Sequence, residues 1–112
     1  MSHFPDLSQQ LERELFPGVT LRTAWGEKLM MSFVRLAPGA LVPPHDHPHE
    51  QMGLLLEGEL EFTIADEAKS LRAGEIWCIP GGVTHSVRAG EHGAYALDLF
   101  APPREEYKVK SA

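Results

Sequence analysis

Cysteine is almost absent from this 112-residue chain, in which Cys78 stands alone. A single thiol excludes an intrachain disulfide and fits a reducing compartment. Long apolar runs are missing too. The longest purely aliphatic stretch is Leu54-Leu55-Leu56, far short of the ~18–20 residues that a membrane span requires. Basic charge is scarce: ten Lys and Arg stand against sixteen Asp and Glu, a formal net charge of −6. Binding to nucleic acid or to an anionic membrane takes basic patches, so that balance argues against both. The opening MSHFPDLSQQLERELFPG holds no basic region followed by an apolar run, so no secretory leader is expected and a cytoplasmic protein is. Hydrophobic residues make up 43% of the chain, enough for a core rather than disorder. The length predicts one domain over residues 1–112. So short a domain buries only ~60–70% of its unfolded surface and gains from a metal or a partner subunit.

Glycine and proline are plentiful, at ten and nine residues. Pro17-Gly18, Pro38-Gly39, Pro43-Pro44, Pro80-Gly81-Gly82 and Pro102-Pro103 are turn or breaker signals. The segments between them suit strands better than helices. Strands are predicted over 19–24, 30–37, 51–56, 59–65, 76–79, 84–88 and 94–100. Within 60–64, Leu60, Phe62 and Ile64 alternate with Glu61 and Thr63, and Glu57-Gly58-Glu59 reads as a tight hairpin. Leu7, Leu11 and Leu15 lie four apart behind Asp6 or Ser8 as caps, which predicts a short N-terminal helix ended by Pro17-Gly18. Cys78 sits among apolar residues and reads as an inert buried thiol. Trp25 and Trp77 read as core or interface aromatics. Many short strands separated by turn signals imply an all-β sandwich or closed barrel.

The chemistry concentrates in histidine. Three of the six histidines fall in His45-Asp46-His47-Pro48-His49-Glu50-Gln51. On an extended chain, side chains alternate between faces, so residues 45, 47, 49 and 51 share one side. Pro48 can break that parity at His49, which reads as an exposed loop residue. Imidazole nitrogens and an amide oxygen on one face form a shell for a divalent transition metal. His85 follows a short strand and a Pro-Gly turn. Across a small barrel it can complete a four-ligand set with His45, His47 and Gln51. His3 and His92 read as surface residues.

The pattern Gly39-x5-His45-x-His47-x3-Gln51-x6-Gly58 resembles the first cupin motif, with Gln51 where Glu is usual. Gly74-x5-Pro80-x-Gly82-x2-His85-x3-Ala89 resembles the second, with Ala89 where Asn is usual. The resemblance implies a single-domain cupin jelly-roll β-barrel with the metal inside its mouth, and frequent homodimers. Its metal ligands are His45, His47, Gln51 and His85, a donor set that suits Zn, Ni, Mn or Fe. Replacing Glu by Gln leaves the ion's charge uncompensated, which favours an anionic substrate and departs from the shell of oxygen-activating cupins.

Further on, Asp98 and Phe100 share parity on a predicted strand, and Arg104 follows a Pro-Pro turn from which it can fold back to the mouth. This tail, D-x-F-x-P-P-R-x-x-Y, is similar to that of the cupins of pectin and alginate breakdown. Those proteins convert 4,5-unsaturated monouronates into linear 5-keto-4-deoxyuronates. That resemblance implies catalytic roles for Asp98, Phe100 and Arg104 and a small anionic sugar acid as substrate. Other readings stand beside it. Asp98 can instead accept a hydrogen bond from a ligand imidazole, and Phe100 can be ordinary core. The protein can be another metal-dependent cupin enzyme, an oxygenase or isomerase, or a cupin that only binds a small ligand.

Overall fold

A computed structural model describes residues 3–108; the outermost positions of the expected 1–112 domain lie outside the described residues. Eight strands follow one another: β1 (Arg13–Phe16), β2 (Val19–Trp25), β3 (Met30–Leu36), β4 (Leu41–His45), β5 (Glu50–Ile64), β6 (Glu67–Arg72), β7 (Ile76–Ile79) and β8 (His85–Ala101). All pairings are antiparallel, in the order β1-β2-β3-β8-β5-β6, with β4 added to β8 and β7 to β5. This is the all-β, antiparallel architecture that the residue pattern implies.

Two long strands serve both walls of the barrel. The first part of β5 pairs with β7 and with the end of β8, while its second part pairs with β6 and with the start of β8. Register slips between Leu55 and Glu57 and between Gly58 and Leu60. Inward-facing residues are Gln51, Gly53 and Leu55 before the slips and Leu60 and Phe62 after them. The bulges thus switch the buried parity from odd to even while the strand bends. Gly58 makes this possible: its φ is +84°, and a Cβ there would lie 2.1 Å from the Gly93 carbonyl oxygen.

Several expectations are corrected here. Glu57-Gly58-Glu59 is a bend inside β5 and not a hairpin, because the flanking segments pair with successive parts of β8 instead of with each other. The segments 84–88 and 94–100 are likewise parts of one strand, β8. Pro43 and Pro44 do not break the chain; they lie in β4, where register shifts between Val42 and His45. β4 pairs only with β8, and an edge strand tolerates residues that cannot donate. The N-terminal helix is a single 3-10 turn, Leu7–Gln9, capped by the Asp6 carboxylate on the Ser8 N–H. The chain then turns to strand at Arg13, and Leu11 stays exposed. No partner surface rewards a longer helix, so the apolar spacing is not enough.

Alternation along the strands stacks residues into rows across the sheet. One inward row runs Leu21, Val34, Ala96 and Leu55, all part of the core. The next inward row runs Thr23, Ser32, Asp98, Gly53 and Trp77. The following one runs Met30, Phe100, Gln51 and Ile79. On the outer face, Met31, Leu99, Met52 and Cys78 form one row, and Phe33, Leu97, Leu54 and Ile76 another. Cys78 is therefore exposed and not buried, because Trp77 and Ile79 take the inward parity of β7.

Gly53 is required by its neighbour. A Cβ at this position would sit 2.2 Å from the Trp77 indole, so the ring occupies the space a side chain would need. Gly53→Ala should destabilise the protein by about 1–3 kcal/mol through overpacking, read as a lower denaturant midpoint. Gly26→Ala, where an added Cβ meets nothing within 4 Å, should leave the midpoint unchanged within error.

Candidate metal centre

His45 ends β4 and stands directly opposite His85 at the start of β8. Their ring centroids are 4.3 Å apart, and His47 lies 5.0 Å from His85 and 5.8 Å from His45. Each ring is held from behind. His45 Nδ1 is 2.9 Å from the Pro43 carbonyl, His47 Nδ1 3.0 Å from the His49 carbonyl, and His85 Nδ1 2.8 Å from the Val83 carbonyl. A carbonyl only accepts, so each Nδ1 carries a proton, which leaves Nε2 of each ring as the nitrogen available to a ligand. One nitrogen from each of the three rings falls in a group no wider than 4.8 Å. The Nε2 of His85 is buried with no hydrogen-bond partner.

Gln51 meets this cluster from β5. Its Nε2 donates to Asp98 Oδ1 at 2.8 Å, which turns its Oε1 toward His47 Nε2 at 3.0 Å. Oε1 and the unprotonated Nε2 are both acceptors, so their approach is unfavourable without a cation between or beside them. A proton is a poor candidate. Burial, and then the positive charge of Arg104, lower the His47 pKa to about 4. Burial likewise lowers the pKa of His85. Three aligned imidazole nitrogens, an orphaned one among them, and an amide oxygen aimed alongside fit a divalent metal ion.

Behind Gln51, Asp98 Oδ1 also accepts from the Trp77 indole N–H at 2.8 Å. Asp98 thus takes hydrogen bonds from the amide of Gln51 and from an indole, and not from an imidazole. Desolvation raises its pKa to about 6, against the opposing pull of those two donors and of Arg104. No hydrogen bond reaches Asp98 Oδ2 among the described residues.

His45, Gln51, His85, Asp98, Phe100 and Arg104 line one cavity. Phe100 is buried and sets its ring edge-on to His47 at 5.6 Å. Arg104 folds back over the mouth, its side chain only 12% exposed. Its guanidinium lies 4.1 Å from the Tyr107 ring centroid and 5.2 Å from that of Phe100. Its Nε donates to Glu106 at 2.8 Å. His49 stays outside the cluster in the loop between β4 and β5. It is partly buried and not exposed, and its carbonyl holds His47. His3 and His92 are exposed, as expected.

Two neighbours of the site escape the sequence reading. Trp77 reads as plain core, and only its place opposite Gly53, with Gly53 in turn opposite Asp98, reveals its N–H as a donor. Tyr107 closes the D-x-F-x-P-P-R-x-x-Y tail and lines the cavity beside Arg104. Its carbonyl accepts from Thr23 Oγ1 at 2.6 Å, and burial raises its hydroxyl pKa.

Comparisons with known proteins agree with the fold. Residues 32–100 match the cupin domain family. The chain is 32% identical over 84 residues to KdgF of Dickeya dadantii (strain 3937), a pectin degradation protein, covering 74% of this chain and 76% of that one. It superposes on the structure of KdgF from Halomonas sp. with a TM-score of 0.86 and 27% identity, covering 95% and 98% of the two chains. It is also 32% identical over 104 residues to the oxalate decarboxylase OxdC of Bacillus subtilis (strain 168), covering 87% of this chain but 27% of that protein.

The raised pKa of Asp98 has a measurable sign. A folded-state pKa of about 6 above an unfolded value near ~3.9 means that Asp98 contributes stability at pH 4 and loses it as pH rises through 6. Asp98→Asn mimics the protonated group. In metal-free protein, its stability relative to wild type should therefore increase by up to about 3 kcal/mol between pH 4 and pH 7. Denaturant melts of both proteins at the two pH values give the difference; a gap that does not widen contradicts the assignment.

Proposed function

This chain belongs to the cupin domain family, and from that premise we propose that it converts 4,5-unsaturated monouronates into linear 5-keto-4-deoxyuronates. The observation that carries this reading is one cavity lined by His45, Gln51, His85, Asp98, Phe100 and Arg104, in a chain similar to KdgF over most of both lengths. His45, His47, His85 and Gln51 would hold the metal. A divalent ion bound there supplies Lewis acidity toward a substrate oxygen.

The chain's own groups account for the rest. Nε of Arg104 is occupied by Glu106, while its terminal amino groups have no hydrogen-bond partner among the described residues. They can take the substrate carboxylate in a fork. Phe100 forms the apolar wall between that guanidinium and His47. The conversion is an isomerisation. The hemiacetal C1–O5 bond breaks and the C1 hydroxyl proton passes to O5, so C1 becomes an aldehyde and O5 the hydroxyl of a C4–C5 enol; O5 then gives up its proton as C4 gains one, which leaves a ketone at C5. Asp98 moves the C4 proton through Oδ2, since Oδ1 is taken up by Gln51 and Trp77.

On the same reading, the two outer rows of apolar residues take a second copy of this chain. Neither row holds a charged residue on β3, β8, β5 or β7; at the β2 end Phe33 meets Arg22, which pairs with Glu12 at 3.5 Å, and Arg35 and Glu57 flank Tyr95 across the sheet as a 4.0 Å pair of opposite sign. A seam between two copies of an acidic chain must be free of unpaired charge. Light scattering should give twice the chain mass for wild type and a monomer for Leu99→Glu. A monomeric wild type ends this assignment.

Asp98→Asn should slow the loss of the unsaturated uronate's ultraviolet absorbance by about 10²–10⁴-fold, with metal content by elemental analysis held near wild type. An unchanged rate removes Asp98 from the reaction. Activity retained with zinc bound and oxygen excluded separates this isomerisation from oxygenase chemistry.

A further inference from the structure

The inward row Thr23, Ser32, Asp98, Gly53, Trp77 brings four polar side chains into one line. Nearly all of its polar atoms are accounted for. Thr23 donates to the Tyr107 carbonyl, Trp77 donates to Asp98, and Asp98 also receives Gln51. Ser32 is the exception. It is 1% exposed, and its Oγ has no hydrogen-bond partner. Its neighbours of the same parity on β3 are Met30, Val34 and Leu36, all apolar and buried.

A buried hydroxyl without a partner is disfavoured relative to a plain methyl group. Such an orphan calls for a specific explanation. Ser32 lies directly opposite Asp98 on the neighbouring strand, a position that puts Cβ atoms about 4.5–5.5 Å apart. It lines the same cavity as Asp98, Arg104 and His85. The orphan therefore belongs to a residue that lines the same cavity as Asp98.

We infer that Ser32 Oγ is the contact for a hydroxyl group of the bound ligand, and so selects a polyhydroxylated acid over a bare carboxylate or dicarboxylate. The inference rests on the sugar-acid reading of the cavity given above and adds a specificity-determining residue to it. A site that hydrogen-bonds a substrate hydroxyl discriminates against ligands that lack one, because its own polar group is otherwise left unpaired.

Ser32→Ala tests this with two readouts of opposite sign. Without ligand, the metal-loaded variant should melt no lower than wild type, since it sheds an unpaired hydroxyl. With ligand, it should need about threefold to tenfold more of a saturated monouronate for the same thermal shift, and its KM for the unsaturated monouronate should rise by the same factor. Its response to oxalate, which has no hydroxyl, should match that of wild type. A lower melting temperature with unchanged KM and unchanged uronate response makes Ser32 structural and overturns the inference. Uronate binding that depends on Ser32 in a protein that does not isomerise the unsaturated sugar keeps the contact and removes the reaction. Isomerisation with equal KM in both proteins keeps the reaction and removes the contact. A wild type that responds to no sugar acid removes both.

Discussion

Two hydrogen-bond acceptors held 3.0 Å apart define this molecule. His47 Nε2 and Gln51 Oε1 cannot satisfy each other, yet both are locked in place from behind. The His49 carbonyl fixes the imidazole, and Asp98 fixes the amide. The arrangement makes sense around a positive ion and is unfavourable otherwise. Burial keeps the imidazole from relieving the conflict by taking up a proton. The same logic extends outward. Asp98 can orient Gln51 because Trp77 holds the carboxylate, and Trp77 can reach it because position 53 has no side chain.

The barrel supplies this arrangement by stacking rows across strands. Residues that meet at the site come from β4, the loop after it, β5, β8 and the segment after β8, several of them far apart along the chain. Register alone brings His45 opposite His85 and Gln51 opposite Phe100. An apolar row of Leu21, Val34, Ala96 and Leu55 lies beneath, so the polar groups stand on a dry floor. In such surroundings charge–dipole interactions are stronger than in water. Arg104 closes the opposite side, stacked on Tyr107 and pinned by Glu106.

Much of this is legible in the residues. Pro-Gly punctuation and period-two alternation mark β2, β3 and β7 to within a residue or so. The parity of 45, 47 and 51 and the place of His85 after a short strand and a Pro-Gly turn point to a cluster before any coordinates are drawn. What escapes has physical reasons. β5 and β8 each read as two strands, and at Gly58 a glycine looks the same in a bulge as in a hairpin; only the partner strand tells them apart. Cys78 reads as buried because apolar neighbours flank it, but on a strand flanking residues face the other way. The roles of Trp77 and Tyr107 depend on cross-strand neighbours and on a tail that folds back, neither of which local spacing encodes.

The sharing of β5 and β8 between both walls also bears on how the chain reaches this state. Neither wall can form on its own, because each borrows half of the same two strands. The pairing of Gln51 with Phe100 must close a long stretch of chain before any contact repays the lost entropy. A topology so dominated by distant partners belongs among the slow folders. It also leaves few places where part of the barrel could open while the remainder stays intact. The cavity that must receive a ligand is thus built into the very strands that both walls share, the least divisible portion of the molecule.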